Sequence, residues 1–163
     1  MTNLKLSRVD NRYIHGQVSA RLVREFNISK ILLISDAYAA DPFMSELYKT
    51  MAIGFTVEVR SISDAANAWK SGEFKSEPAL MLLWGTVSDA CASYKAGINY
   101  DFISLANIPG DGGRIKVNNS CYINADEAEL LKELSSSGVD VYFQAMTDLP
   151  KTTLDEALKI TGL

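Results

Sequence analysis

The chain has 163 residues, 47% hydrophobic and 22% charged, an ordinary globular composition for which a single domain over 1–163 is expected. No apolar run approaches the roughly 20 residues that span a bilayer, and Met1 to Asp10 lacks the apolar stretch of a signal peptide, which points to the cytoplasm. One histidine and two cysteines 30 positions apart exclude a disulfide scaffold and a structural zinc module, and a net charge of −4 argues against a nucleic-acid partner.

Strand-length apolar stretches alternate with segments of helical period along the whole sequence, which predicts an α/β fold. Leu4 to Asp10 reads as a strand, Asn11 to His15 as a turn, and Gly16 to Asn27 as a helix with Val18, Leu22 and Phe26 on one face. A doubly buried strand follows at Lys30 to Ser35, then a helix with Asp41 as cap and Pro42 as first residue, running to Thr50. Phe55 to Arg60 is the third strand. Ser63 is expected to cap a short helix to Gly72, Ala79 to Trp84 to form the most apolar strand, and Thr86 to cap a helix to Gly97. Tyr100 to Leu105 is a fifth strand, and Pro109 to Gly113 an exposed glycine-rich loop. A weaker strand falls at Arg114 to Val117 or at Ser120 to Ile123. Asn124 with Glu127 starts a helix to Ser137, Val139 to Gln144 is the last strand, and Thr153 with Glu156 starts the terminal helix.

Short connections between strands and helices need right-handed crossovers. The prediction is therefore a mostly parallel twisted sheet of about seven strands with helices on both faces. Ligands of such sheets sit at the carboxyl ends of strands, where strand order reverses. Those ends are Asp10 to His15, Asp36 to Tyr38, Trp84 to Thr86 and Ala106 to Gly113.

Residues 1–30 carry six basic and two acidic side chains, against ten and eighteen in the remainder. This basic start is either a solvated edge or an anion site. Within it, Asp10-Asn11-Arg12-Tyr13-Ile14-His15-Gly16-Gln17 gathers a carboxylate, a guanidinium and an imidazole between strand and helix. Neutral imidazole offers a ring-nitrogen lone pair that can accept and later release a phosphoryl group. Arginine's planar fork matches phosphate oxygens, and a helix starting at Gly16 aims free N–H groups at the same place. One imidazole nitrogen must be bare for attack. A hydrogen bond from the other nitrogen to Asp10 or to a backbone carbonyl would fix which one.

The run Arg8-Val9-Asp10-Asn11-Arg12-Tyr13-Ile14-His15-Gly16-Gln17-Val18 resembles the signature of the IIB subunits of the mannose/fructose/sorbose family of the bacterial sugar phosphotransferase system, usually close to R-[IV]-D-[DEN]-R-[LF]-[IV]-H-G-Q-V. Similarity extends to Ile34-Ser35-Asp36 with Ala39, Ala40 and Asp41, to Met81-Leu82-Leu83, to Ala96-Gly97-Ile98 and to Gly112-Gly113. Asn11 stands where many members have an acid and Tyr13 where leucine is commoner. Leu105 to Pro109 departs from the family's V-G-G-M-like run. The resemblance implies that His15 accepts a phosphoryl group from the phosphohistidine of a IIA protein and passes it to a sugar at the IIC and IID membrane subunits, so that the chain works transiently at the inner face of the membrane. Arg12 would hold the phosphoryl group, with Asp10, Asn11, Gly16 and Gln17 binding or orienting it. No cofactor or metal is expected for transfer between imidazoles. A homo-oligomer stays open.

Asp36 is a candidate rim acid or the cap of a neighbouring turn, Trp84 a rim or a core residue, and Thr86 a third rim candidate. Arg114 could assist docking. Arg21 and Arg24 form either a solvated face or a docking face for an acidic partner, and both cysteines read as small buried hydrophobes. Two rivals remain: a small hydrolase or isomerase with His15 as general base, lacking a Gly-x-Ser-x-Gly elbow to support it, and a regulatory domain that binds a IIA-like partner without passing phosphate on.

Overall fold

The computed structural model describes residues 3–163, apart from the side chains of Gln17 and Val18. In chain order the elements are β1 (Leu4–Asp10), α1 (Gly16–Glu25), β2 (Lys30–Ile34), α2 (Asp36–Ala39), α3 (Pro42–Thr50), β3 (Thr56–Arg60), α4 (Ile62–Ser71), β4 (Leu80–Trp84) and α5 (Val87–Lys95). They continue with β5 (Phe102–Asn107), β6 (Ile115–Lys116), β7 (Tyr122–Ile123), α6 (Ala125–Ser136), β8 (Asp140–Phe143), β9 (Thr152–Thr153) and α7 (Leu154–Thr161). One seven-stranded sheet runs in the order β3-β2-β4-β1-β5-β8-β9, parallel except for the β8–β9 pair.

Alternation along the central strands builds two cores. Leu32, Ile34, Leu80, Leu82 and Trp84 face α4 to α7, packing with Ala65, Ala90, Leu131 and Ala157. Ile31, Leu33, Met81 and Leu83 face the other way, onto Leu22 of α1 and Tyr48 of α3. This explains the continuous apolar runs of β2 and β4, since a parallel strand covered on both faces has no solvent side to leave polar. The cores form by removing such side chains from water, at about 25 cal/mol per Å².

Connections place the functional end. From β1 the chain crosses through α1 to β2 on one side, while from β5 it crosses through α6 to β8 on the other. The connections leaving the carboxyl ends of the paired strands β1 and β5 therefore run to opposite sides, leaving the crevice where such sheets bind ligands. Register shifts at this point: Val9 pairs with Leu105 but Asp10 with Asn107, a bulge that re-aims the end of β1.

Four details differ from the sequence expectation. Ser61, not Ser63, caps α4, its hydroxyl accepting from the Asp64 N–H at 3.1 Å. A one-turn helix, α2, fills the predicted turn after β2 and is capped by Ser35. Both alternatives for the weaker strand form, as the antiparallel ribbon β6–β7 outside the main sheet. Residues Thr152–Thr153 add a short antiparallel edge strand, β9, just before the capping box of α7. The capping boxes at Asn124/Glu127 and Thr153/Glu156 form as the sequence indicates.

Candidate functional site

The turn from β1 into α1 is fastened at each end. Asn11 donates its N–H to the Asn107 carbonyl at 3.0 Å, and the two asparagine side chains hydrogen-bond to each other across the β1/β5 crevice. Tyr13 N–H closes back on the Asp10 carbonyl at 2.9 Å, and His15 N–H reaches the Ser19 hydroxyl at 3.0 Å. Tyr13 takes a left-handed conformation (φ 56°), and Gly16 follows at φ 45°, where a side chain would be strained although the space around it is open. His15 is the N-cap residue of α1, yet its side chain caps nothing and is left for other work.

Asp10 organises the site. Its carboxylate is fully buried, a position that would be costly without compensation, and four donors converge on it. Oδ1 accepts from the Arg12 N–H at 3.0 Å and Arg12 Nε at 3.4 Å. Oδ2 accepts from Arg8 Nη2 at 3.3 Å and stands 2.9 Å from His15 Nε2. Because a carboxylate only accepts, the neutral imidazole places its proton on Nε2 and leaves Nδ1 with a bare lone pair. The backbone alternative for the imidazole's partner is thereby set aside: the partner is Asp10. The imidazole remains 23% exposed, open to an incoming group.

Arg12 is half exposed, with only Nε engaged by Asp10; its two terminal nitrogens have no partner among the described residues. Arg8, which the sequence reading passed over, is buried between this site and the chain after β8, donating Nη1 to the Ala145 carbonyl at 2.8 Å. Burial pulls its pKa down and the neighbouring Asp10 opposes that shift. The signal was present in the sequence: an arginine inside an apolar central strand must be paired, and the acid two residues on shares its face.

Tyr13 pins the turn from outside. Its ring stands edge-on to Tyr38 (centroids 4.9 Å) and tilted to Tyr48 (5.9 Å), and its phenol lies directly against the backbone of Gly85, just beyond β4. Desolvation of this cluster raises the Tyr13 pKa and pushes Tyr48 up to about 12.

The remaining candidates separate cleanly. Trp84 offers no rim surface: it is fully buried, donating Nε1–H to Ser93 Oγ at 2.9 Å and packing on Tyr100. Thr86 caps α5, accepting from the Asp89 N–H at 3.0 Å. Asp36 accepts from the Ile62 N–H at 2.8 Å and so caps the start of α4. The Pro109 to Gly113 loop is closed by Arg114, bound to both Glu127 oxygens and to Asp111, which leaves that guanidinium committed to the loop. Arg21 pairs with Asp148 at 3.2 Å, whereas Arg24 has no ion pair among the described residues. Arg24 lines a groove of about 510 Å³ that starts at Ile14 and Gly16 and is floored by Val23, Met51, Ile53 and Phe55. Burial pushes the Cys91 and Cys121 thiols up to about 11, so both are inert core groups. Gln17's side chain lies outside the described residues. Among the described residues no three His, Cys, Asp or Glu side chains cluster to hold a metal, and no helix is long and apolar enough to cross a membrane.

An open parallel sheet with one histidine at its switch point, held by a buried acid and flanked by arginine, defines a narrow class. The model of the sorbose-subfamily IIB component of the phosphotransferase system matches residues 4–162, and the chain belongs to that family. It is 27% identical over 147 residues to the mannose-specific EIIAB component of Escherichia coli, covering 90% of this chain and 45% of that protein; the chain thus spans about half the length of this relative. Among solved structures, the IIBSor domain of the sorbose permease from Klebsiella pneumoniae superposes with a TM-score of 0.89 at 20% identity, over 96% of this chain and 97% of that one. The manxB protein from Thermoanaerobacter tengcongensis gives 0.85 at 26% identity, over 98% of each chain. The mostly parallel α/β fold and the likeness to IIB subunits expected from the sequence both hold.

Proposed function

We propose that the chain is a phosphocarrier, in which His15 Nδ1 takes a phosphoryl group from the phosphohistidine of a IIA protein and passes it to a sugar at membrane-embedded IIC and IID subunits. The observation that carries this reading is the 2.9 Å contact between Asp10 Oδ2 and His15 Nε2, which leaves Nδ1 as the free nucleophile. In the first transfer the Nδ1 lone pair forms a P–N bond as the donor's P–N bond breaks, and the donor ring keeps that electron pair. His15 retains its Nε2 proton, so its ring becomes cationic, and the Asp10 carboxylate 2.9 Å away offsets that charge. In the second transfer a sugar hydroxyl oxygen bonds to phosphorus, the Nδ1–P bond breaks with its electron pair returning to Nδ1, the hydroxyl proton passes to water, and His15 returns to neutral imidazole.

Arg12 supports both steps, since its free terminal nitrogens supply planar donors to the phosphoryl oxygens in a loose transition state. The first turn of α1, whose N-cap residue His15 makes no side-chain cap bond, aims its N–H groups and the positive end of the helix dipole beside His15. The protein contributes position and charge, and the group it carries arrives and leaves on partners at the inner membrane face. The test is incubation with phosphorylated IIA protein: one acid-labile phosphoryl group per chain is expected, absent in His15→Ala. An acid-stable label, or one retained by the variant, overturns the reading.

A further inference from the structure

We infer that Arg8 is a positioning residue for phosphoryl acceptance: through Asp10 it determines which nitrogen of His15 is the nucleophile. The inference rests on the phosphocarrier reading and extends it to a residue that touches neither donor nor phosphoryl group. Arg8 Nη2 and His15 Nε2 share one oxygen, Asp10 Oδ2, at 3.3 and 2.9 Å, while the Arg12 N–H and Nε both bind the other oxygen, Oδ1. The carboxylate plane is thereby fixed by donors on both sides, with Oδ2 turned toward the ring. Without Arg8, among the described residues only His15 itself engages Oδ2, and the carboxylate is free to turn about its own bond toward Arg12.

Arg8 is itself held. Its other terminal nitrogen donates to the Ala145 carbonyl at 2.8 Å, and it lies in a groove bordered by Leu6, Phe26, Ser104 and Tyr142. A guanidinium suits this role because its rigid fork makes both bonds at once from a single plane; an ammonium is a point charge that reaches one partner or the other. The chain from Ala145 through Arg8 and Asp10 to His15 thus turns a fixed backbone carbonyl into a fixed imidazole face.

The experiment uses full-length 15N-labelled protein phosphorylated by phosphoramidate, with long-range 1H–15N and 31P spectra to show which ring nitrogen carries phosphorus. Wild type is expected to carry it on Nδ1. In Arg8→Met the label is expected to spread between Nδ1 and Nε2, with a rate lower by on the order of tenfold or more, and Arg8→Lys is expected to restore Nδ1 in part. Wild type labelled on Nε2 overturns the reading of His15 itself. Label confined to Nδ1 at the wild-type rate in a folded Arg8→Met protein overturns only the role of Arg8. If Arg8→Met does not fold, the wild-type chain still decides: phosphorylation should shift the Arg8 Nη resonances while those of Arg60 and Arg114 stay in place, and unmoved Arg8 signals overturn the inference.

Discussion

The phenol of Tyr13 and the backbone of Gly85 are in direct contact, so that a methyl group added at Gly85 would overlap the phenol end of the Tyr13 side chain. The turn that carries His15 is thereby locked, two residues before the histidine, against the exit of β4. Gly85→Ala is expected to lower stability by about 1–3 kcal/mol, the usual result of overpacking, and to slow phosphorylation by displacing the turn. Thermal unfolding and a transfer assay check both. Tyr13→Phe, which keeps the ring but loses the phenol's hydrogen bond to Ser35, should change stability and rate less than Gly85→Ala.

Arg12→Lys separates charge from geometry. The side chain is half exposed, so its loss as an ion-pair partner should change stability by under about 1 kcal/mol. Losing one well-placed donor to the transferring group should cost roughly 3 kcal/mol, or about a hundredfold in rate. Equal transfer rates for variant and wild type would reduce Arg12 to an ion-pair partner of Asp10.

Asp10→Asn should damage the fold as well as the chemistry. It removes the only carboxylate on the buried Arg8 guanidinium among the described residues, and an uncompensated buried charge of this kind typically destabilises by about 3–5 kcal/mol. Urea midpoints measure this directly, and an unchanged midpoint would mean that water reaches Arg8.

Stability should decline in alkali. Burial pushes the Cys91 and Cys121 thiols from 9.0 up to about 11, and the Tyr48 phenol from 10.0 up to about 12. These groups hold their protons more tightly folded than unfolded, so the unfolded chain releases protons first. Their contribution is complete below pH 9 and falls as pH rises from there toward 11 and 12. Denaturation midpoints measured between pH 8 and 11 should drop, and Cys91→Ala should flatten the decline.

Association with the IIA donor should weaken with salt, and Arg24→Glu should slow it more than Arg21→Glu. The reason is local: Arg21 is already neutralised by Asp148, whereas Arg24 faces the groove beside Gly16 without an ion pair among the described residues. Association rates at two ionic strengths compare the two variants.

Much of this protein was legible in one dimension. Apolar runs at Lys30 to Ile34 and Leu80 to Trp84 announce strands covered on both faces, and caps such as Asp41-Pro42 and Asn124/Glu127 mark helix starts, because burial periodicity and capping act over a few residues. The motif from Arg8 to Val18 likewise identified the family and its one histidine. What the sequence could not hold is which groups meet across long separations. Trp84 ends a strand at the functional edge, yet only packing against Ser93 and Tyr100 decides that its ring turns inward. Arg8 and Ala145 are 137 positions apart, and Tyr13 and Gly85, which meet, are 72 positions apart. Which nitrogen of His15 is left without a partner follows from such contacts: Asp10 and His15 are near neighbours in sequence, but the tertiary fold alone removes Asp10 from water, surrounds it with donors and turns one of its oxygens to Nε2.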